Sequence, residues 1–385
     1  MNLELTETQK MIQDTARNFA KAELDPVAAK MDQQGDRETF LKNLRKLGEL
    51  GLMAINCKEQ YGGSEAGVIA FSLAVTEIGK ACASTGVTMS VNNMCCEVIQ
   101  AIGTEEQKKA YIPKIASGEY YAGGFGLTET MAGSDPSGMR TTAVLDGDSW
   151  VLNGTKIFIT SAEYAGVFVV WAVTDPKAPK GKGISTFLVE NGIKGFSVGR
   201  AEHKMGQHAS ATNELLFEDC RIPKTALMGK VNDGFRTAVG ELAGGRIGIG
   251  SLGLGIGQAA IEYATKYAMN RFQFDQPITN FQAIQWMIAE SYTELEAARL
   301  LLMNAAFKKE NGKFFAREAS MAKYYATEAA ERACHKAIQM LGGYGYTNEF
   351  PVERYARDVR ITSIYEGTNQ VQRLIIARDI LSSLK

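Results

Sequence analysis

The sequence predicts a multidomain α and β protein, with an all-α N-terminal domain, a central antiparallel β domain and an all-α C-terminal domain. Apolar residues recur at helical spacing through the first third of the chain, and this spacing returns from about Gly234 onward. Between these segments, short runs of β-branched and aromatic residues alternate with Gly, Pro, Asp and Asn, which is typical of strands joined by turns. We therefore place the domains at residues 1–120, 121–230 and 231–385.

The N-terminal segment carries both a helix start signal and helical periodicity. Thr6 and Gln9 have the spacing of a capping box, in which each side chain binds the other residue's backbone N–H. The apolar positions that follow at helical spacing are Ile12, Ala16, Phe19 and Ala20, and then Phe40, Leu44 and Leu47 before Gly51.

The central segment contains a strong hairpin signal. In "WVLNGTKIFI" (residues 150–159), Asn153-Gly154 separates two β-rich runs, and Asn-Gly favours the tight turns that join antiparallel strands. Further β-rich runs occupy residues 167–173, 184–189 and 215–217. We expect an antiparallel sheet with a turn at Asn153-Gly154.

The C-terminal segment consists of long amphipathic tracts at residues 281–308, 315–341 and 370–384, interrupted near "GGYGYTNEFP". It also contains Gly248, Gly250 and Gly253 in the order GxGxxG, with Asp275 at about the distance of a ribose-binding acid. A dinucleotide-binding loop needs a preceding strand, whereas both flanking stretches have helical patterns. We interpret these glycines as positions where helices approach closely or where a ligand lies against the backbone.

Composition narrows the function classes. The 42 basic and 43 acidic residues among 385 give a formal charge of −1, which indicates neither a nucleic-acid surface nor a polybasic membrane patch. The six cysteines form no CxxC pair, which argues against zinc and against a disulfide framework. The first twenty residues lack a signal-peptide core and no apolar run is long enough to span a membrane. We expect a cytoplasmic protein, with a processed mitochondrial matrix protein as the alternative.

Five short segments have unusual chemistry, and each also has an ordinary structural explanation. They are "GFGLTETMAGSDPSG" (124–138), "KIFITSAEY" (156–164), "NRFQFDQPITNFQAIQ" (270–285), "QMLGGYGY" (339–346) and "ITSIYEGTNQ" (361–370). The ordinary explanations are a domain-joining loop, a half-buried hairpin, a surface loop, a helix stop and, for Glu366, a solvated turn. Glycines and hydroxyls in the first segment also allow backbone N–H groups to approach an anion or a ring edge.

Taken together and in this order, "GLTETMAGSD", "KIFIT", "GGRIG", "RFQF", "QMLGGYGY" and "YEGT" resemble the acyl-CoA dehydrogenase family over nearly the whole chain. "ASTGVTMSVNN" (83–93) resembles the short-chain, butyryl-CoA type. The resemblance implies an N-terminal helical domain, a central β-barrel and a C-terminal four-helix bundle, with non-covalent FAD between barrel and bundle. It also implies a homotetramer built as a dimer of dimers.

The resemblance implies two groups of flavin contacts. The isoalloxazine side is implied for Phe125, Leu127, Thr128, Gly133, Ser134, Phe158, Thr160, Thr368 and Gln370. Contacts across a dimer interface, to the diphosphate and adenine, are implied for Arg271, Phe274, Gln282, Gln339, Gly342 and Gly343.

The resemblance also implies a reaction, the conversion of a short saturated acyl-CoA thioester to the trans-2-enoyl-CoA. Glu366 would remove the α-proton, since a carboxylate in an apolar pocket gains basicity, and flavin N5 would accept the hydride. The Glu366 backbone N–H and a ribityl hydroxyl would hold the thioester carbonyl. Substrate contacts are implied for Ser134, Arg246, Tyr365 and Gly367, with Arg246 suited to the phosphates or adenosine end of CoA. Electrons would pass to electron-transferring flavoprotein.

Departures from the family pattern leave alternatives open. Some relatives carry the base near residue 245, but Gly244-Gly245 offers no acid, and Glu241 lies one turn earlier. Gly86 stands near a position where glutaryl-CoA dehydrogenases carry arginine, while Ala243 and Asp275 replace an aspartate and a glycine that are common in relatives. An oxidase, an enzyme for branched, aryl or cyclic acyl-CoA, and a flavin-free helical scaffold are the other hypotheses.

Overall fold

The computed structural model describes residues 4–384, except for the side chain of Glu241. The chain forms a helical N-terminal region, a central β-sheet region and a helical C-terminal region. The N-terminal helices are α1 (Glu7–Phe19), α2 (Ala28–Gln34), α3 (Arg37–Glu49), α4 (Gly67–Ala81), α5 (Ala83–Ile102) and α6 (Glu105–Ala116). The capping box is present at the start of α1, where Thr6 Oγ1 accepts from the N–H of Gln9 at 3.2 Å. The predicted apolar positions of α1 and α3 are buried.

The central sheet has eight strands in the described chain. They are β1 (Ala122–Gly126), β2 (Thr142–Asp146), β3 (Ser149–Thr160), β4 (Ala165–Val173), β5 (Ile184–Glu190), β6 (Phe196–Ala201), β7 (Thr212–Pro223) and β8 (Leu227–Met228). Their order is β6-β7-β3-β2-β4-β5-β8, and β1 pairs with β4. Within residues 4–384 this path runs from β6 to β8 without closing on itself, so the closed barrel stays a prediction.

The predicted hairpin turn at Asn153-Gly154 is wrong. These residues lie inside β3, at a register shift opposite β7, where Gly154 has φ +144°. The turn lies at Gly147-Asp148, between the paired residues Asp146 and Ser149, and Gly147 has φ +60°. Both sites contain the glycine that a positive φ favours, so the Asn-Gly signal identified a β-bulge rather than a turn.

The sheet is not wholly antiparallel. Strand β1 runs parallel to β4, and β2 meets β4 in a parallel contact at Thr142. The sequence analysis assigned residues 124–126 to a joining loop, whereas they complete β1. The missed strand, "AGGFG", is rich in glycine and therefore has low strand propensity, and neighbouring strands determine its conformation.

The C-terminal region contains the predicted long helices. They are α7 (Gly234–Asn270), α8 (Gln282–Glu310), α9 (Ala316–Leu341), α10 (Val352–Arg360) and α11 (Asn369–Ser383). A short hairpin, β9 (Phe272–Gln273) and β10 (Gln276–Pro277), joins α7 to α8. The GxGxxG glycines lie within α7, as the helical interpretation predicted. A Cβ at Gly250 would lie 3.3 Å from the Cα of Lys323 in α9, so the two helices pack almost backbone to backbone there.

Helix α7 connects the two helical regions into one core. Buried residues of α1, α4 and α5 share a hydrophobic cluster with those of α7, α8 and α9, and one face of the sheet joins it. A second, smaller cluster lies within the sheet around Trp150 and Phe187. In the described part of the chain, no helix is both long and apolar enough to cross a membrane.

Candidate active site

Glu366 lies in a tight turn that leads into α11. It has φ +54°, and Gly367 after it has φ +87°, so both residues occupy the left-handed region. Thr368 then caps α11, with its Oγ1 accepting from the N–H of Val371 at 3.3 Å. The side chain of Gln372 donates to the carbonyl oxygens of Glu366 (3.2 Å) and Gly367 (2.8 Å). A left-handed glutamate is unfavourable in isolation, and these contacts hold it in that conformation.

The Glu366 carboxylate points into the interior between α5 and α7. Its Oε2 is buried and has no hydrogen-bond partner in the described structure. A Cβ at Gly245 of α7 would lie 2.9 Å from that oxygen and 3.0 Å from the sulfur of Met94 in α5. Glycine at position 245 therefore provides the space that the carboxylate occupies.

Burial makes this carboxyl group unusually basic. Desolvation raises the pKa of Glu366 to about 7, although the nearby charges of Arg246 and Lys323 act in the opposite direction. A carboxyl with a pKa near neutrality, with one oxygen unsatisfied, is suited to accept a proton from a ligand placed beside it.

Arg246 lies in the interior rather than at the protein surface. It is 6% exposed, its NH1 donates to Ser320 Oγ at 3.3 Å, and its buried Nε has no partner in the described structure. Burial lowers the pKa of Arg246, and the Glu366 charge opposes this effect. This position places Arg246 near the Glu366 carboxylate, and its predicted contact with the phosphates or adenosine end of CoA stays a prediction.

The predicted isoalloxazine residues of the central region lie on two adjoining segments. The carbonyl of Thr128 accepts from the N–H of Ile157 at 2.9 Å, which ties the loop after β1 to strand β3. A buried ion pair reinforces the connection, because Lys156 Nζ donates to Glu129 Oε1 at 2.8 Å and to the carbonyl of Leu127 at 3.2 Å. Phe125 packs against Trp171 with ring centroids 4.4 Å apart and ring planes inclined by 46°.

The surface formed by these two segments is open to a planar group. Phe158 is 59% exposed with φ +57°, at a register shift in β3, and Thr160 is half-buried on the same side of the strand. A Cβ at Gly133 would meet no atom within 4 Å, and Ser134 beside it is exposed. An exposed aromatic ring, hydroxyl groups and unfilled space fit the predicted flavin ring.

The residues predicted to act across a dimer interface lie together elsewhere. The Arg271 guanidinium lies 5.9 Å from the ring centroid of Tyr344, which joins the α7–α8 connection to the turn after α9. Phe274 is 85% exposed, and Gln282 and Gln339 are also exposed. A Cβ at Gly342 or Gly343 would meet no atom within 4 Å. This surface could accept a group from outside the chain.

Asp275 has a local structural explanation. With Phe274 it forms the two-residue turn between β9 and β10, and both have positive φ, +54° and +62°. Aspartate tolerates the left-handed region better than most residues, so it can replace a glycine there. Ala243 is buried in α7.

The segment of residues 365–370, named the catalytic turn, connects to the central region through Tyr365. The Tyr365 hydroxyl accepts from Gln207 Nε2 at 3.1 Å, and the same amide donates to the carbonyl of Asp358 at 3.1 Å. Burial raises the pKa of Tyr365, so the hydroxyl stays neutral at physiological pH.

Two site residues have no counterpart in the sequence analysis. Lys323 is fully buried in α9 and Gln372 is fully buried in α11, and both contact the turn that carries Glu366. The sequence does contain a signal for Lys323, because the neighbouring positions of its helix face are all small residues, namely alanine, serine and threonine. A lysine at an apolar position indicates a buried partner.

Models of one protein family match three consecutive segments of this chain, from residue 6 to residue 381. Family models match residues 6–119 (acyl-CoA dehydrogenase, N-terminal domain), 124–220 (middle domain) and 232–381 (C-terminal domain). The chain is 47% identical over 385 residues to the mitochondrial short-chain specific acyl-CoA dehydrogenase of Bos taurus, covering 100% of this chain and 92% of that one.

Two solved structures are similarly close. A chain from a study of the electron transferring flavoprotein of Acidaminococcus fermentans superposes with a TM-score of 0.96 at 46% identity, covering 99% of this chain and 100% of that one. Butyryl-CoA dehydrogenase from Megasphaera elsdenii gives a TM-score of 0.95 at 39% identity, with the same coverage.

Proposed function

Because this chain belongs to the acyl-CoA dehydrogenase family, we propose that it oxidises a short saturated acyl-CoA to the trans-2-enoyl-CoA with FAD as cofactor. The observation that carries the proposal is the Glu366 carboxylate, whose Oε2 is buried with no hydrogen-bond partner among the described residues, and burial raises its pKa to about 7. Butyryl-CoA is the substrate that the similarity to short-chain enzymes favours.

Glu366 is the base that removes the α-proton of the thioester. Its carboxylate replaces water as the proton acceptor, and desolvation strengthens it for that step. Its backbone N–H is one donor for the thioester carbonyl, which gains negative charge as the proton leaves. Tyr365 and Gly367 line the same turn and complete the contacts with the acyl group.

FAD supplies the acceptor for the β-hydride when it is bound. Of the central region, Phe125, Leu127, Thr128, Gly133, Ser134, Phe158 and Thr160 would hold its ring, with Thr368 and Gln370 of the catalytic turn. These residues also exclude water from one side of the reacting carbons. Ser134 would contact CoA as well.

Arg246 has a different role from the phosphate contact that the motif suggests. Arg246 is 6% exposed, so its guanidinium is poorly placed to contact a CoA phosphate in solvent. Its charge lies close enough to Glu366 to lower the pKa of that carboxyl group. We assign it to the acyl end of the site, where it stabilises the ionised base.

The functional assembly is a homotetramer made of two dimers. Exposed Phe274 and Tyr346, 85% and 89% accessible, together with Arg271 and the open turn at Gly342-Gly343, form a surface suited to a partner subunit and its FAD. Gln282 and Gln339 belong to that surface. On the family resemblance we also propose a barrel for the central domain, although the strand path of the described residues is open. The proposed domain boundaries are residues 120 and 230, and the proposed location is the cytoplasm.

Electron-transferring flavoprotein is the acceptor we propose for the reduced enzyme. An oxidase, or an enzyme for a branched, aryl or cyclic acyl-CoA, is the competing hypothesis. Hydrogen peroxide formed at the rate of substrate consumption in air would identify the oxidase.

The deciding experiment is the visible spectrum of the purified protein before and after anaerobic addition of butyryl-CoA. We expect an oxidised flavin band that bleaches with butyryl-CoA in the native protein and persists in Glu366→Gln. If only a longer, branched or cyclic thioester bleaches the band, the mechanism stands and the substrate assignment is wrong. If the protein takes up no FAD, the proposed function is wrong.

A further inference from the structure

Lys323 occupies a position where a charged side chain is unfavourable without partners. It lies in the middle of α9, its side chain is 0% exposed, and Ala319, Ala326 and Ala330 are buried on the same helix. Transfer of an ammonium group into such surroundings is costly unless hydrogen bonds and opposite charges compensate for lost water. The lysine must therefore have a defined set of partners.

Those partners lie on the catalytic turn. Lys323 Nζ donates to the carbonyl of Gly367 at 2.9 Å and to Asn369 Oδ1 at 3.0 Å. Asn369 is held in turn by α9, since its Nδ2 donates to Thr327 Oγ1 at 3.0 Å. The lysine thus binds the turn on both sides of Thr368, directly after Glu366.

The packing leaves Lys323 little freedom. Gly250 of α7 approaches its backbone so closely that a Cβ there would lie 3.3 Å from the Lys323 Cα. From α11, Gln372 Nε2 donates to the carbonyls of Glu366 and Gly367. The Gly367 carbonyl therefore has two donors from two different helices, which fixes the orientation of the peptide that follows Glu366.

The charges around Lys323 come from three elements. Glu366 faces it from the catalytic turn and Arg246 from α7, while Glu328 and Glu331 belong to α9 itself. Burial and the Arg246 charge lower the pKa of Lys323 to about 7, against the opposing effect of Glu366 and the two α9 carboxylates. The protonated ammonium in turn lowers the pKa of Glu366.

We propose that Lys323 is a positioning residue for Glu366: its hydrogen bonds to the Gly367 carbonyl and to Asn369 hold the Glu366-Gly367 turn in its left-handed conformation, and its ammonium group acts on the Glu366 carboxyl across that turn. The inference rests on the proposed role of Glu366 as the base. Gln372 shares the first task but not the second, because it binds the same carbonyl without a charge. This difference separates the two effects experimentally.

The test compares four variants of the FAD-loaded protein with the native one. Lys323→Met removes the charge and the donors, and Gln372→Leu removes the donors alone. Lys336→Met, on the same helix but paired with Glu290 at the surface, is the matched control. Glu366→Gln shows which infrared band belongs to the Glu366 carboxyl group. One readout is the pH profile of anaerobic flavin bleaching, and the second, without substrate, is an infrared titration of the protonated Glu366 carboxyl band, identified by its loss in Glu366→Gln.

We expect Lys323→Met to raise the titration midpoint of Glu366 by about one pH unit, because a nearby positive charge lowers a carboxyl pKa by about that amount or more. Its bleaching rate at neutral pH should fall at least about tenfold and recover only partly at higher pH, since the conformational contribution is also lost. Gln372→Leu should slow bleaching with the midpoint unchanged, and Lys336→Met should change neither.

A well-folded Lys323→Met with the native midpoint and the native pH profile would overturn the inference. If that variant does not fold, Lys323→Gln keeps one donor without the charge, and the same midpoint shift is expected. If no thioester bleaches the native flavin, the proposed function fails, while the infrared midpoint still decides whether Lys323 controls Glu366.

Discussion

Two buried glutamate–lysine sites in this molecule have opposite properties. In the central region, Glu129 accepts from Lys156 Nζ at 2.8 Å and from the N–H groups of Arg140 (2.6 Å) and Thr141 (2.9 Å). Burial alone would raise the pKa of Glu129, but these contacts hold it below its ordinary value. Glu366 has a buried oxygen with no hydrogen-bond partner in the described part of the chain, and burial raises its pKa to about 7.

The comparison shows that burial by itself does not make a carboxylate reactive. Glu129 is 7% exposed, yet its hydrogen bonds stabilise the ionised form and leave it no tendency to take up a proton. Glu366 is desolvated without equivalent contacts, so its proton affinity is available to a substrate. The first site is structural and the second is chemical, although in both a buried lysine acts on the charge of the acid.

The largest expected effect is on the reaction. Glu366→Gln removes the base but keeps the size of the side chain, and we expect the rate of flavin bleaching to fall by about 10³-fold or more. Glu129→Gln should bleach at close to the native rate as long as FAD is bound. Rapid mixing under anaerobic conditions measures the bleaching rate of both variants. Equal losses of rate in the two variants would contradict the distinction between a structural Glu129 and a chemical Glu366.

The second effect is on stability, and here we expect Glu129→Gln to be more damaging than Glu366→Gln. Glu129→Gln leaves the ammonium of Lys156 buried without its opposite charge, and breaking such a pair costs about 3–5 kcal/mol. Glu366→Gln breaks no hydrogen bond to a carboxylate oxygen of Glu366 that the structure records. Chemical denaturation of both variants near pH 5, with FAD in excess, should find Glu129→Gln much less stable and Glu366→Gln near native.

The third prediction concerns the space beside the carboxylate. Gly245→Ala places a Cβ 2.9 Å from Glu366 Oε2, so the carboxylate must shift and bleaching should slow by about 10-fold to 100-fold. Gly240→Ala in the same helix is the control, because a Cβ there meets nothing within 4 Å. We expect the control to keep its rate and to gain about 0.5–1 kcal/mol of stability from better helix propensity.

The smallest effect is the pH dependence of stability. Because the folded pKa of Glu366 is raised, its contribution to stability is complete below the unfolded value of 4.5 and is lost as pH rises toward about 7. Glu129 behaves in reverse, because its folded pKa is lowered and its contribution is lost in acid. The difference in melting temperature between Glu366→Gln and the native protein should therefore shift in favour of the variant as pH rises from 4.5 to 7. For Glu129→Gln, the melting temperature should lie closest to the native value at low pH.

Sequence reasoning predicted the helical regions well because their signals are local. The Thr6 capping box and the long apolar periods of α8 and α9 depend on neighbours a few residues away. It was wrong at Asn153-Gly154, because a bulge and a turn require the same backbone conformation and only the partner strand distinguishes them. It also missed the parallel pairing of β1, which depends on a strand forty residues later.

For the site, sequence identified Glu366 only through its resemblance to a family. The pKa of that carboxyl depends on Gly245, Met94, Arg246 and Lys323, which lie far away in the chain. Arg246 was predicted to contact the phosphates or adenosine end of CoA from its motif position and its charge, and its burial beside Glu366 cannot be deduced from that motif. Gln372 acts through backbone carbonyls, which leave no residue-specific pattern in the sequence, whereas Lys323 did leave a signal, a charge on a buried helix face, that was not used.

The left-handed backbone at Glu366 has an evolutionary consequence. Glycine, asparagine and aspartate all adopt this conformation more readily than glutamate does. Substitution of Glu366 by any of these three residues therefore relieves backbone strain at position 366. Only continuous selection for a proton acceptor of this length keeps a glutamate there. A descendant of this gene released from catalysis should lose Glu366 to one of those three residues early, before the core around it changes.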